Sequence, residues 1–167
     1  MASPKQAFLD AYDREHATTL RVLRAYPADQ ADLRPHPRCR SAREIAWTFV
    51  LERALGTKVL NNEFAAAPPA RSAPPSPPAD WSALIAAYEK AHADYGALIR
   101  GWSDAELQQT VKFFTAPKTM GEWRRLDFAW LLLCDEIHHR GQLSVYLRAA
   151  GGKVPSIYGP SGDEPWM

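Results

Sequence analysis

The sequence predicts an all-α fold, a four-helix bundle with a long Pro-rich crossover loop and an irregular C-terminal tail. Apolar residues recur at helical spacing in four long segments, and no segment shows convincing strand alternation. A chain of 167 residues with 46% hydrophobic side chains is long enough for one domain with a single core. We therefore expect one bundle domain over residues 1–167, because four amphipathic helices bury their apolar stripes most economically against one another.

The first two helices are bounded by residues that start or stop helices. The first is predicted from about Pro4 to Tyr26, because the following proline blocks its continuation. Ser41 offers an N-cap hydroxyl to the second helix, and Glu44 completes a capping box. This second helix is predicted to run to about Phe64.

The segment 65–79 reads AAAPPARSAPPSPPA, and so many prolines exclude both a helix and a paired strand. An extended surface crossover is the first interpretation, and a PxxP ligand for an aromatic groove is the second. Asp80 then caps a third helix, which Gly101 ends.

The remaining residues contain one short and one long helical segment. Residues 103–106 repeat the capping-box spacing, but only a short turn can follow before the ambiguous apolar piece 111–114. The last long helix is predicted from Gly121 or Arg125 to about Ala150. An irregular tail follows, which we expect to cap one end of the bundle or to fold over a partner subunit.

Composition and charge exclude several classes of protein. The 20 basic and 19 acidic side chains leave a net charge of +1, so no overall field favours nucleic acid or an anionic membrane. The first residues lack the apolar run of a secretory signal, and no segment resembles a membrane span. We therefore expect a cytoplasmic protein that binds neither nucleic acid nor membrane, with Cys39 and Cys134 as free thiols.

The last helix carries an unusual number of polar groups inside an apolar run. At about 100° per residue, one stripe contains four polar side chains together with two apolar ones, and His138 lies at its edge. The stripe consists of Phe128, Leu131, Asp135, His139, Gln142 and Tyr146. Glu136 falls on the opposite side and is expected to be exposed, whereas Cys134 is expected to pack against a neighbouring helix as a small hydrophobic residue.

The second helix also directs a carboxylate inward. Glu52 lies on the apolar stripe of this helix, near Thr48 and Leu55. An isolated buried carboxylate costs several kcal/mol unless it is paired, protonated or bound to a cation. Two interpretations remain open: a divalent metal bound between the second and fourth helices, and a metal-free salt-bridged cluster with His138 or Arg140.

The end of the last helix and its flanks resemble the DinB-like family, which includes damage-inducible bacterial proteins and related metal-dependent enzymes. The most specific motif is HHRGQL at residues 138–143, and weaker motifs extend the resemblance over nearly the whole chain. These weaker motifs are Arg34-Pro35-His36-Pro37, Ser41-Ala42-Arg43-Glu44, Ala46-Trp47, Tyr146-Leu147-Arg148, Val154-Pro155 and Tyr158-Gly159. The resemblance implies a four-helix bundle, a homodimer and a divalent metal held between helices by three histidines.

The resemblance places the family's three metal-binding histidines at positions 48, 135 and 139 of this sequence. These positions hold Thr48, Asp135 and His139, so only the third is a histidine. We expect Glu52, one turn from Thr48, to supply the missing ligand. The predicted metal ligands are thus Glu52, Asp135 and His139, for a divalent Zn, Ni, Mn or Fe ion. Six other residues are expected nearby, as outer partners or pocket walls: Tyr12, Trp47, Thr48, His138, Gln142 and Tyr146.

The resemblance implies two kinds of chemistry at such a metal. Characterised relatives in the wider group are thiol-dependent S-transferases and a thiol-dependent isomerase, so a small-molecule thiol is the first candidate substrate. Metal-assisted hydrolysis uses the same parts. The alternative is a non-catalytic, stress-associated dimeric bundle, whose degenerate metal site binds a ligand or partner.

Overall fold

The computed structural model describes residues 3–70 and 73–167 and is mainly helical, which confirms the predicted fold class. Within those residues, none of the helices combines the length and the apolar character that a bilayer span requires. In chain order the elements are α1 (Pro4–Ala25), α2 (Ala42–Leu60), α3 (Trp81–Gly101), the short α4 (Asp104–Leu107), β1 (Thr110–Ala116), β2 (Thr119–Arg124) and α5 (Arg125–Ala149).

Local capping explains where the helices begin. The Ser41 hydroxyl accepts a hydrogen bond from the Glu44 amide, and the Glu44 carboxylate accepts one from the Ser41 amide, so the predicted capping box is present. Asp80 caps α3 as expected. Helix α2 ends at Leu60, earlier than predicted, because Asn62 adopts a left-handed conformation with φ of 57°.

Residues 110–124 form a β-hairpin that the sequence analysis did not predict. Strands β1 and β2 pair in antiparallel register, with Val111 opposite Trp123. Lys118 has a φ of 61° in the turn between them. The hairpin is held in place by aromatic packing, because the ring of Phe113 contacts those of Phe64 and Phe128. These contacts come from distant parts of the chain, so the local sequence alone left the segment ambiguous.

The four long helices pack around a shared core. Helices α2 and α1 each contact both α3 and α5, which brings one face of every long helix inward. One half of the core is centred on Phe8, Tyr95 and Phe128, and the other half on Phe49 and Tyr88.

The inward face of α5 differs from the face that the sequence analysis inferred. Leu132, Glu136, Arg140 and Leu143 all lie in the core, and Glu136 is completely buried, so the prediction of an exposed Glu136 was wrong. The prediction for Cys134 was also wrong, because its side chain is exposed. The stripe that contains Asp135 and His139 therefore lies at the edge of the buried face.

Three side chains from other helices explain why Glu136 is tolerated in the core. Arg53 of α2 forms an ion pair with its carboxylate. The hydroxyls of Thr19 and Tyr88 donate hydrogen bonds to Glu136 Oε1 at 2.7 and 2.6 Å. These donors replace the hydrogen bonds to water that the buried carboxylate has lost.

The two irregular segments pack against their own chain. Trp47 Nε1 donates to the Pro75 carbonyl at 2.7 Å, which ties the Pro-rich crossover to α2. In the C-terminal tail, the Tyr158 hydroxyl donates to Glu15 at 2.6 Å and accepts from Arg140 at 2.5 Å. The tail thus covers part of α1 and α5, while the homodimer stays a prediction.

Candidate metal centre

Glu52 of α2 and Asp135 and His139 of α5 converge where these two helices pack. His139 Nε2 lies 3.7 Å from Asp135 Oδ2 and 4.0 Å from Glu52 Oε1. The three potential ligand atoms all lie within 4.8 Å of one another. No other group of three histidine, cysteine or carboxylate side chains converges in this way within residues 3–70 and 73–167.

Glu52 is the most unusual member of this triad, which comprises Glu52, Asp135 and His139. Its side chain is only 8% exposed. Neither of its carboxylate oxygens accepts a hydrogen bond from any group that the structure describes. Burial, and next the neighbouring carboxylate of Asp135, raise the pKa of Glu52 to about 9. Such a carboxylate lacks the partners that normally accompany a buried charge.

His139 is oriented by its neighbour on the same helix. Its Nδ1 lies 3.0 Å from Gln142 Oε1, and an amide oxygen can only accept, so Nδ1 carries the proton. The other ring nitrogen, His139 Nε2, faces the two carboxylates. Gln142 Nε2 in turn lies 3.0 Å from His138 Nε2, which extends the hydrogen-bonded chain to the exposed His138.

Asp135 lies at the open side of the triad. Its side chain is 47% exposed, in contrast to the buried Glu52. The face of α5 that carries Glu136 points into the core. Because Asp135 lies about 100° away around the helix, its side chain lies at the edge of the bundle. The triad is therefore half open to solvent, with one buried and one accessible carboxylate.

The other residues expected near the site have different surroundings. The Thr48 hydroxyl donates to the Glu44 carbonyl at 3.0 Å and accepts from Arg40 at 2.9 Å, and Thr48 is not part of the triad. Tyr146 donates to the Arg40 carbonyl at 3.1 Å and shares a cavity with His139. Tyr12 lies in the core instead, where its hydroxyl donates to the backbone of α3.

Two cavities flank the triad. One, of about 420 Å³, is lined by Cys39, Arg40, Ile45, His139, Gln142 and Tyr146. The other, of about 560 Å³, includes Glu52 together with the mainly apolar residues Leu51, Leu55, Phe64, Pro69 and Pro74. A small molecule can therefore reach the triad from the side of His139 and from the side of Glu52.

Sequence reasoning missed two features near the site. Arg40 lies in the loop just before the N-cap of α2, where helical periodicity gives no information, yet it lines the smaller cavity. The buried pair of Arg53 and Glu136 was missed as well. Helical periodicity placed Glu136 on the solvent face of its helix, and it assigned Arg53 to neither face. The opposite charges of Arg53 on α2 and Glu136 on α5 were the only signal in the sequence for this ion pair.

Comparison with known proteins agrees with the fold. The model of the DinB family matches residues 1–166. A Bacillus subtilis protein named Uncharacterized protein YrdA is 27% identical over 157 residues, which cover 94% of this chain and 89% of that protein.

Three solved structures are similar to this chain in fold. A DinB-like protein from Bacillus cereus has a TM-score of 0.72 at 23% identity, covering 90% of this chain and 95% of its own. A DinB-like protein of Bacillus subtilis, YjoA, has a TM-score of 0.66 at 16% identity, covering 89% and 96%. A conserved protein from Enterococcus faecalis has a TM-score of 0.69 at 18% identity, covering 92% and 100%.

Proposed function

The chain belongs to the DinB family, and on that premise we propose that Glu52, Asp135 and His139 bind a divalent metal ion that serves a small-molecule reaction. The observation that carries the proposal is the buried carboxylate of Glu52, whose two oxygens have no hydrogen-bond donor among the described residues but face a second carboxylate and an imidazole nitrogen. A divalent cation is the group that makes such an arrangement favourable, because it is attracted to all three.

The donor set fits a divalent transition metal. Two atoms bound to one ion at about 2.1 Å each lie at most about 4.2 Å apart, and His139 Nε2 lies within that limit of both carboxylates. Asp135 is half exposed and can rotate to complete the set. Two oxygens and one nitrogen suit Mn, Fe, Ni or Zn.

Three protein ligands leave coordination positions for a substrate. A bound divalent ion lowers the pKa of a coordinated thiol or water, so that a nucleophile is available at neutral pH. Gln142 keeps the His139 ring in one orientation, and Tyr146 and Ile45 form part of the wall of the cavity beside it. These residues position the ligand set and limit the size of the molecule that enters.

The presence of two cavities favours thiol transfer over hydrolysis. A transferase must hold a thiol and an electrophile at once, whereas a hydrolase holds one organic substrate. In such a transfer, the thiol sulfur forms a bond to an electrophilic carbon, and the bond from that carbon to its leaving group breaks. The leaving group takes the electron pair, and the thiol proton passes to solvent. The cavity beside His139 can hold the thiol, and the cavity beside Glu52 can hold the electrophile.

Metal analysis tests the proposal directly. Protein purified without a nickel column is dialysed against Mn, Co, Ni or Zn and analysed for bound metal. We expect one equivalent per chain for the wild type. We expect affinity to fall by more than about 100-fold in His139→Ala and in Asp135→Ala, because each removes a ligand.

A matched control is available on the same helix. His138 is an exposed histidine directly beside His139, and it is linked to the His139 ring only through Gln142. His138→Ala should therefore weaken metal binding by less than the roughly 10–100-fold that removal of a direct outer partner costs. If the wild-type protein binds none of these ions, the triad is a metal-free polar cluster. The non-catalytic bundle is then the better interpretation, as Thr48 at the position of the family's first histidine suggests.

A further inference from the structure

Arg40 is a cation at the mouth of the candidate metal centre, on the loop that precedes α2. Its Nη1 donates to the Thr48 hydroxyl at 2.9 Å. Thr48 lies four residues before Glu52 on α2, about 6 Å along the helix axis, so Arg40 contacts α2 about one turn from Glu52. Arg40 also lines the cavity that contains His139.

The charge of Arg40 is not compensated by the protein. The neighbouring basic residues have acidic partners, because Arg34 pairs with Glu44 at 2.9 Å and Arg43 with Asp32 at 3.0 Å. Among the residues that the structure describes, no carboxylate lies within ion-pair distance of Arg40, whose one side-chain partner is the neutral Thr48.

The metal centre itself adds no negative charge to balance Arg40. A divalent ion with the carboxylates of Glu52 and Asp135 is neutral, and His139 binds as a neutral imidazole. One positive charge therefore remains beside the cavity. A ligand with an anionic group at this distance from the metal would be attracted to it.

We infer that the cavity beside His139 binds a small thiol that carries a carboxylate, and that Arg40 binds this carboxylate. The inference rests on the proposed metal site and names the class of its thiol substrate. The planar guanidinium matches a carboxylate with two parallel hydrogen bonds. A cavity of about 420 Å³ holds a small molecule that reaches from the triad to Arg40.

A pair of thiols that differ only in charge tests the inference. Cobalt(II)-loaded protein is titrated with 4-mercaptobutyrate and with 4-mercapto-1-butanol, and binding is followed by the thiolate-to-cobalt charge-transfer absorption. We expect the wild type to bind the acid about tenfold more tightly than the alcohol. In Arg40→Gln this preference should disappear, while the affinity for the alcohol stays within about twofold of the wild type.

Arg38 provides the matched control, because it is an exposed arginine two residues away on the same loop and lines neither cavity. Arg38→Gln should keep the preference for the acid. For the wild type alone, added salt should reduce that preference, since the contact is electrostatic and partly exposed.

The outcomes separate the two proposals. If cobalt binds and Arg40→Gln still prefers the acid as the wild type does, the role of Arg40 is wrong and the metal site stands. A wild type that binds both thiols equally overturns the carboxylate-bearing substrate in the same way. If cobalt does not bind at the triad at all, the proposed function fails and this inference fails with it.

Discussion

Glu136 shows how a single carboxylate organises the centre of this protein. It is completely buried and bound by Arg53, Thr19 and Tyr88, which come from α2, α1 and α3. All three other long helices are thereby connected to α5 through one side chain. The guanidinium of Arg53 also lies over the ring of Tyr12 at 4.9 Å, so the pair is enclosed by aromatic groups.

Glu136→Gln should destabilise the protein strongly. The substitution leaves Arg53 buried without a counter-charge, and we expect the free energy of unfolding to fall by about 3–5 kcal/mol in urea titrations. The double variant Arg53→Met with Glu136→Leu should lose less, because no unpaired charge remains. A loss below about 1 kcal/mol for Glu136→Gln would show that water or another group replaces the carboxylate.

The contact of α2 with its neighbours depends on a glycine. A Cβ atom at Gly56 would lie 2.6 Å from Leu132 Cδ1 and 2.7 Å from Tyr95 Cε2. Both are closer than van der Waals contact permits. Gly56 lies one turn after Glu52, so this close approach of α2 to α5 also brings Glu52 toward Asp135 and His139.

Two Gly→Ala substitutions should therefore have opposite effects. Gly56→Ala should lower the free energy of unfolding by about 1–3 kcal/mol through overpacking. Gly141→Ala, on α5 where a Cβ meets nothing within 4 Å, should raise it by about 0.5–1 kcal/mol, because alanine favours a helix. Urea titrations of both variants measure the difference, and equal effects would contradict the close approach of the helices at Gly56.

The stability of the whole molecule is linked to pH through a buried histidine. His92 stacks between Tyr12 and His16, with ring centroids 4.1 and 3.6 Å away. Burial, followed by the charges of His16 and Arg53, lowers the pKa of His92 to about 3, although Asp13 at 3.2 Å acts in the opposite direction. The folded protein thus holds His92 neutral, whereas the unfolded chain accepts a proton near pH 6.5.

Acidification should consequently remove the contribution of His92 to stability. The contribution of His92 is fully present above about pH 6.5 and is lost as the pH falls from there toward the folded-state pKa of about 3. Below about pH 6, the loss of the His92 contribution should lower the free energy of unfolding by about 1 kcal/mol per pH unit. Glu52 acts in the opposite direction, because its raised pKa favours the folded state as the pH falls. Urea titrations at several pH values measure this slope. His92→Gln should be less stable at pH 7 but should lose less stability on acidification than the wild type, and an unchanged slope in this variant would assign the effect to other groups.

Local sequence determined much of this fold. The capping boxes at Ser41 and Ser103, the cap at Asp80 and the prolines of the crossover act within a few residues of themselves, so the helices could be placed from the sequence. Helical spacing also identified Glu52, Asp135 and His139 as candidate ligands, because side chains one turn apart share a face of the helix. Their binding of a metal stays a prediction.

Tertiary structure decided which way each helix faces and how the loops run. The burial of Glu136 depends on Arg53 from another helix, and the hairpin at 110–124 depends on Phe64 and Phe128. The position of Arg40 beside the triad likewise follows from the path of a loop across α2. Helical spacing shows which side chains share a face, but whether that face is buried depends on partners distant in sequence. Long-range packing therefore determined the environment of the candidate metal centre, while local periodicity identified its candidate ligands.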